Sequence, residues 1–346
     1  MSKKFGVFIG RFQPFHIGHA SVIRDALTKV DKLIVLVGSS DQARDTRNPF
    51  TFTERREMIR ASFGIEMIRE ELIVLPLRDH PYSDTAWVAE VQQTVADAIG
   101  FNGTDSFEDE ILLAGYGKDA SSYYLKLFPE WGNIQIDASE GTFSATDIRE
   151  RYFQRIPIIA DKILAPHVVN ALESFSYTDA FKALLAEKEY LDGYEKQWGR
   201  GPFVTADAVV IQSGHILLVR RGDHPGKGLL ALPGGFVNPD ERVEDGAIRE
   251  LREETKIADR KGEIPPAMLR SFIDRTTTRV FDDPNRSLRG RIITHAFLFR
   301  LPNATKLFHV KGSDDAEHAD WYEIGTLKPD MFFEDHWSII KQMADL

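Results

Sequence analysis

Gly10-Arg11-Phe12-Gln13-Pro14-Phe15-His16-Ile17-Gly18-His19 stands directly after an apolar run, Phe5 to Ile9, and directly before a helix-like stretch, Ala20 to Val30. A strand, a glycine-marked loop and a helix in immediate succession begin a βαβ unit. Glycines let the backbone come close to a phosphate, and the first turn of a helix offers unpaired N–H groups with a partial positive charge. Two histidines three residues apart can both face a phosphoryl group held there. The same pair is compatible with a helix cap or half of a zinc site, but the flanking glycines and the strand-loop-helix setting favour phosphate.

Outward from this stretch, short apolar runs recur at Lys32 to Val37, Leu72 to Leu75 and Ile111 to Ala114, with a helix-like segment at Thr85 to Ile99. That alternation predicts a parallel sheet covered on both faces. After Pro166 the chain reads as helical to Tyr194, and Gln197-Trp198-Gly199-Arg200-Gly201-Pro202 punctuates it as a boundary. The pattern then changes: Phe203 to Ile211, a Ser213-Gly214 turn and Ile216 to Val219 form a predicted antiparallel hairpin. A length of 346 residues suits two domains at roughly 150 residues each. No internal repeat relates the halves. The expected division is a first domain at 1–165, a helical linker at 166–200 and a second domain at 201–346.

Composition narrows the function classes. The formal net charge of -10 lacks the basic footprint of a nucleic-acid binder, and the hydrophobic content of 42% supports sizeable cores. The absence of cysteine excludes disulfides, thiolate metal sites and cysteine nucleophiles. The first apolar run is too short and too broken by glycine for a signal peptide or membrane helix. A cytoplasmic protein with neither nucleic-acid nor membrane partners is expected, and a homo-oligomer is left open.

The residues from Gly10 to His19 resemble the Gly-x-Phe-x-Pro-x-His-x-Gly-His motif of the nucleotidyltransferase superfamily, which transfers nucleotidyl groups with release of pyrophosphate. Its second element, a Ser-x-Thr-x-x-Arg segment opening a helix, has its counterpart in Ser144, Thr146 and Arg149. Read blandly, Ser144 and Thr146 only cap that helix; the arginine adds a guanidinium fork suited to phosphate. The match is closest to the archaeal-type nicotinamide mononucleotide adenylyltransferases. It rests on Arg47-Asn48-Pro49-Phe50-Thr51 with Glu54-Arg55, on Gly115-Tyr116-Gly117-Lys118-Asp119 at a strand end, and on Trp87, on the helix after Asp79. The resemblance implies that Gly10, Arg11, Phe12, His16, His19, Arg47, Asp79, Lys118, Ser144, Thr146 and Arg149 bind ATP and substrate, with Mg²⁺ accompanying ATP. It also implies that the Trp87 indole stacks on the nicotinamide ring.

In the second half, Gly235, Glu241 and the run Arg249-Glu250-Leu251-Arg252-Glu253-Glu254-Thr255-Lys256-Ile257 fit the Nudix box, Gly-x5-Glu-x7-Arg-Glu-U-x-Glu-Glu-x-Gly-U, with U aliphatic. Lys256 replaces the final glycine, which normally ends the helix in a left-handed cap. At about 100° per residue, Glu250, Glu253 and Glu254 share one helical face. Glu254 falls at the edge of the apolar stripe beside Val243 and Ala247, where an unpaired charge is costly. A solvated acidic face accounts for Glu253 and not for Glu254. Clustered carboxylates call for Mg²⁺ or Mn²⁺, with Glu250, Glu253 and Glu254 as ligands, Glu253 and Glu254 catalytic, and Arg249 orienting them.

Downstream, Arg286-Ser287-Leu288-Arg289-Gly290-Arg291 reads either as a basic loop fixing substrate or as a solvated turn. Across nearly its whole length the chain resembles bifunctional bacterial proteins carrying both domains. The implied fold is α/β, with an N-terminal Rossmann-like nucleotidyltransferase domain built on a parallel sheet and a C-terminal Nudix α/β/α sandwich built on a mixed sheet. The implied ligands are ATP, nicotinamide mononucleotide and ADP-ribose. Other adenylyl acceptors, a Nudix half acting on NAD(H) and a ligand-sensing Nudix half are the alternatives.

Overall fold

The structure is a computed structural model that describes residues 3–100, 110–115, 126–134, 136, 144–156, 163–312 and 316–344. The chain divides into two compact units, Met1–Leu185 and Ala186–Leu346.

The first unit is built on β1 (Lys4–Gly10), β2 (Lys32–Val37), β3 (Leu72–Pro76), β4 (Glu110–Ala114) and β5 (Gly132–Ile134). They form a parallel sheet in the order β3-β2-β1-β4-β5, as the alternating runs predict. Successive side chains point to opposite faces, so β2 feeds two cores. Leu33, Val35 and Val37 join one cluster and Ile34 and Leu36 the other. Helices α1 (Ile17–Leu27), α2 (Phe52–Ile68) and α4 (Ala145–Phe153) cover the first face, while α3 (Asp84–Ile99) covers the second through Val91 and Val95. Strands buried on both faces read as unbroken apolar runs. The segment expected to link the domains is helical, as α5 (Pro166–Ser176) and α6 (Asp179–Trp198). Val168, Leu172, Phe175, Phe181 and Leu184 of these helices are buried in the core of the first unit.

The second unit is a mixed sheet of β12 (Arg279–Phe281), β13 (Ile292–Arg300), β6 (Phe203–Gln212), β7 (His215–Arg221) and β14 (Ala316–Glu323), in that order. Short strands β8 (Leu230–Ala231) and β9 (Gly234–Phe236) add to β7 and β6. β13 runs parallel to β6, and the β6–β7 pair is the expected hairpin. Helix α7 (Val243–Thr255) lays Ala247, Ile248 and Leu251 against Ala206, Ala208 and Val210 of β6. Burial of Ile248, Leu251 and Val210 contributes about 1.5–3 kcal/mol each. The C-terminal α9 (His336–Ala344) follows α8 (Pro266–Ser271) and the paired strands β10 (Ala258–Asp259) and β11 (Gly262–Glu263). Among the described residues no helix is long and apolar enough to cross a membrane.

Candidate active sites

In the first unit, the loop after β1 is held by buried side chains that its own sequence supplies. Gln13, 1% exposed, donates to Phe50 O at 2.8 Å and accepts from Phe50 N–H at 3.0 Å. Phe12 adopts a left-handed backbone at φ 53 and packs over Gly10, where a Cβ would lie 2.9 Å from its ring. The His19 ring is enclosed by Phe12, edge-on at 4.8 Å, and Phe15, stacked at 5.8 Å.

The two histidines do cap the helix, as one reading of the motif has it. His16 Nδ1 accepts the Gly18 N–H at 3.1 Å, and His19 Nδ1 accepts the His16 N–H at 3.3 Å. Each ring therefore carries its proton on Nε2. Burial pushes His16 down to about 4; burial, then the neighbouring His16, pushes His19 well below the usual imidazole range. Both therefore present a neutral N–H donor rather than a cation.

Charge comes instead from arginines. Arg149 donates to Gln13 O at 2.7 Å and to Thr146 Oγ1 at 3.1 Å, while Ser144 Oγ accepts the Asp147 N–H at 3.1 Å and caps α4. Burial first, then Arg11 and Arg47, lower the Arg149 guanidinium to about 10, and Arg11 is lowered by burial and by Arg47. Arg11, Arg47 and Arg149 thus lie close enough for their charges to act on one another. Asp79 Oδ1 accepts the Ser39 N–H at 3.1 Å, which ties the ends of β2 and β3 together. Trp87, half-buried, lies 6.0 Å from Phe128 in the second core. Lys118 lies outside the described residues.

Arg55, quoted in the sequence only as part of a segment, organises this site. Its guanidinium is 1% exposed and donates to Arg11 O at 2.7 Å, Gly38 O at 2.6 Å and Ser39 O at 3.0 Å. One side chain thereby fixes the loops after β1 and β2 to each other.

In the second unit, a cavity of about 420 Å³ is lined by Asp207 of β6 and by Arg249, Glu250 and Glu254 of α7. Gly234 and Gly235 let the chain pass tightly: a Cβ on Gly235 would lie 2.5 Å from Glu250 Oε1. Glu254 Oε2 accepts the Gly234 N–H at 3.0 Å. Burial pushes Glu254 up to about 8, and burial also raises Glu250. Arg249 donates to Glu241 at 2.7 Å, to Glu250 at 2.8 Å, to Glu253 at 2.9 Å and to Phe236 O at 3.0 Å. It orients the glutamates as expected, and in doing so draws Glu253 outward to a side-chain exposure of 47%. The expected convergence of three carboxylates is therefore incomplete, and among the described residues no three acidic or histidine side chains gather closely enough to hold an ion. Lys256 keeps the left-handed conformation of the glycine it replaces, at φ 44, and caps α7 through its N–H to Arg252 O at 3.0 Å.

Several cavity residues escape the sequence reading. Asp207, buried on β6, accepts from Thr294 Oγ1 at 2.6 Å, and burial pushes it up to about 6. Its signal was a lone acid in the apolar run of β6. The segment entering α9 supplies three more, Phe333, Glu334 and His336, with Asp335 behind them. Phe333 lines the cavity; Glu334, at φ 45, accepts from Ser287 Oγ at 2.7 Å; Asp335 binds Arg286 through two hydrogen bonds of 2.9 Å. His336 Nδ1 accepts the Leu232 N–H at 3.0 Å, which leaves its proton on Nε2. Burial first, then Arg286, Arg221 and Arg289, hold this imidazole neutral. Tyr190 of α6 completes the lining.

A cytidylyltransferase-like family model matches residues 7–151, and a NUDIX domain model matches residues 201–343. The fold and sites define a nucleotidyltransferase joined to a Nudix enzyme. The nicotinamide/nicotinic acid mononucleotide adenylyltransferase of Acinetobacter baylyi is 35% identical over 51% of this chain and 89% of its own length. The ADP-ribose pyrophosphatase of Methanocaldococcus jannaschii is 34% identical over 40% of this chain and 72% of its own. A crystal structure of a bifunctional NMN adenylyltransferase/ADP ribose pyrophosphatase from Francisella tularensis is 34% identical, covers 99% of both chains and superposes with a TM-score of 0.89. A second structure of that protein, with AMP and a manganese ion, gives 0.87. The chain belongs to this family of bifunctional NMN adenylyltransferase/ADP-ribose pyrophosphatases.

Proposed function

We propose that the first unit transfers the adenylyl group of ATP to nicotinamide mononucleotide, and that the second hydrolyses ADP-ribose to AMP and ribose 5-phosphate. The observation that carries the first half is the pair of Nε2–H donors fixed by His16 and His19 beside the cluster of Arg11, Arg47 and Arg149. An oxygen of the mononucleotide phosphate attacks the α-phosphorus of ATP; the bond to the bridging oxygen breaks and pyrophosphate leaves, with no covalent enzyme intermediate. Such a displacement needs positioning and charge neutralisation more than acid-base groups. We assign Gly10 and Phe12 to close approach of the backbone, His16, His19 and the three arginines to ATP phosphates, and Ser144 and Thr146 to the start of α4. Trp87 and Asp79 are assigned to the nicotinamide side, an indole being a suitable face for a cationic ring.

In the second unit, burial raises Glu254 and Glu250, Glu250 in spite of its hydrogen bond from Arg249, and carboxylates of this kind fit a divalent cation of the Mg²⁺ or Mn²⁺ kind. Glu250 and Glu254 would hold it, with Glu253 joining once released from Arg249. A bound cation supplies charge neutralisation of the diphosphate and a more acidic water. Gly235 keeps the backbone clear of Glu250. Water attacks one phosphorus of the diphosphate, the bridging P–O bond breaks, and the two phosphate monoesters share its protons. A second cation would accompany ATP in the first unit, and the reading places the enzyme in the cytoplasm.

Both activities are tested by separating products chromatographically. ATP with nicotinamide mononucleotide and Mg²⁺ should give NAD and pyrophosphate, and ADP-ribose should give AMP and ribose 5-phosphate. Preference for another acceptor or another diphosphate would overturn the corresponding half.

A further inference from the structure

Four arginines line the second cavity: Arg249 is bonded to the glutamates, and the protein treats the other three differently. Arg286 is satisfied: its guanidinium is buried and doubly bonded to Asp335. Arg221 and Arg289 are not. Arg221 donates only its Nε, to Pro225 O at 2.7 Å, and its two terminal nitrogens find no acceptor among the described residues. Arg289 Nε is buried without a hydrogen-bond partner, and the nearest carboxylate oxygen, on Glu334, stands 3.8 Å from its terminal nitrogen. Arg221 rests on an aromatic ring rather than on an acid, and Arg289 lies beside two rings with only a long ion pair to Glu334. Arg221 sits 4.1 Å from the Phe333 centroid, and Arg289 sits 5.7 Å from the centroids of Phe333 and Phe236.

Unpaired donors in a partly desolvated cavity are costly, and two guanidinium groups against one ring repel each other. Aromatic faces offset part of that cost without consuming the hydrogen-bond donors. A guanidinium so placed is preorganised for the planar, two-point recognition of phosphate oxygens. We propose that Arg221 and Arg289 form an anion clamp for the diphosphate of the substrate, binding it independently of the divalent cation, with Phe333 as the rigid backing between them. This deepens the hydrolase reading and rests on it for the identity of the natural substrate, but the clamp itself selects only a phosphate or diphosphate group. Carboxylates and clamp then divide the work: the former neutralise the diphosphate through the metal, the latter hold its remaining oxygens in place.

The test uses the full chain, inorganic pyrophosphate and EDTA, with heat of binding as the readout. Arg221→Met and Arg289→Met should each weaken binding at one class of site on the order of tenfold or more, the loss expected when a charge-assisted hydrogen bond is removed. The difference from wild type isolates the second unit, to which both arginines belong. Arg221→Lys and Arg289→Lys keep the charge and lose the fork, so they should fall between; they serve if the methionine variants do not fold. In hydrolysis, the KM for ADP-ribose should rise about tenfold with kcat little changed, the pattern of a lost ground-state contact. Folded variants whose pyrophosphate isotherms and KM match wild type would overturn the clamp. If the variants lose pyrophosphate but wild type does not hydrolyse ADP-ribose, the clamp stands and the substrate assignment fails.

Discussion

Glu254 accepts the backbone N–H of Gly234 at 3.0 Å from a buried position at the end of α7, so the glutamate and the glycine turn before it are fixed to each other. The hydrogen bond favours the ionised carboxylate and burial opposes it more strongly, leaving the group at about 8. A carboxyl raised above its ordinary 4.5 stabilises the fold below that value and loses this contribution as pH rises through about 8. Metal-free protein should therefore lose stability between pH 5 and pH 9, and Mg²⁺ should restore it at the alkaline end.

Glu254→Gln keeps the acceptor for Gly234 and removes the titration. Its melting temperature in EDTA should fall less steeply over the same range, Asp207 near 6 still contributing, and Mg²⁺ should stabilise it far less than wild type. Hydrolysis should fall by more than about 100-fold, beyond the 10–100-fold typical of losing a group that merely supports a metal ligand. Retained hydrolysis would remove Glu254 from the site.

In the first unit, Arg55→Met tests whether the loops after β1 and β2 depend on one side chain. The substitution strands the carbonyls of Arg11, Gly38 and Ser39, each unsatisfied buried acceptor costing about 1–3 kcal/mol. Urea unfolding should report a loss of at least about 3 kcal/mol. Adenylyl transfer should drop about 100-fold even where the variant is folded, because misplacement of the loop by about 1 Å carries that penalty.

The parts of this architecture that the sequence disclosed are those decided locally. Lys32 to Val37 reads as a strand because both of its faces are buried, and the box on α7 fixes Glu250, Glu253 and Glu254 by spacing alone. β5, three residues long, offers too short a pattern to register. The role of Arg55 depends on carbonyls 16, 17 and 44 positions away, and the cavity wall from Phe333 to His336 reaches Leu232 from 104 positions downstream. Spacing also placed Glu253 with its neighbours, whereas competition for Arg249 decides where its carboxylate points.

His16 provides a pH test of opposite sign. Its folded value of about 4 lies below the ordinary 6.5, so the unfolded chain takes up a proton that the folded chain refuses. The contribution of His16 to stability should be constant above pH 6.5 and fall on acidification toward about 4, by on the order of 3 kcal/mol. His16→Asn retains a good helix cap and should flatten that slope. It should also cost adenylyl transfer about 100–1,000-fold, the price of one donor to developing charge. A wild-type rate profile with an inflection near 6.5 would contradict a neutral His16.

Lys256 is the one departure from the box, and its backbone supplies the last prediction. A residue with a Cβ pays about 1–2 kcal/mol to sit in the left-handed region, at φ 44 here, while glycine gives back roughly 0.5–1 kcal/mol in unfolded-state entropy. Lys256→Gly should therefore stabilise the protein by about 0–1.5 kcal/mol, read as a higher urea midpoint with unchanged slope. Hydrolysis should not change, because Glu254 is positioned by Gly234 and the end of α7 by the Thr255 hydroxyl donating to Leu251 O at 2.5 Å. A loss of stability would instead mean that the lysine side chain contributes contacts outweighing the strain of its backbone.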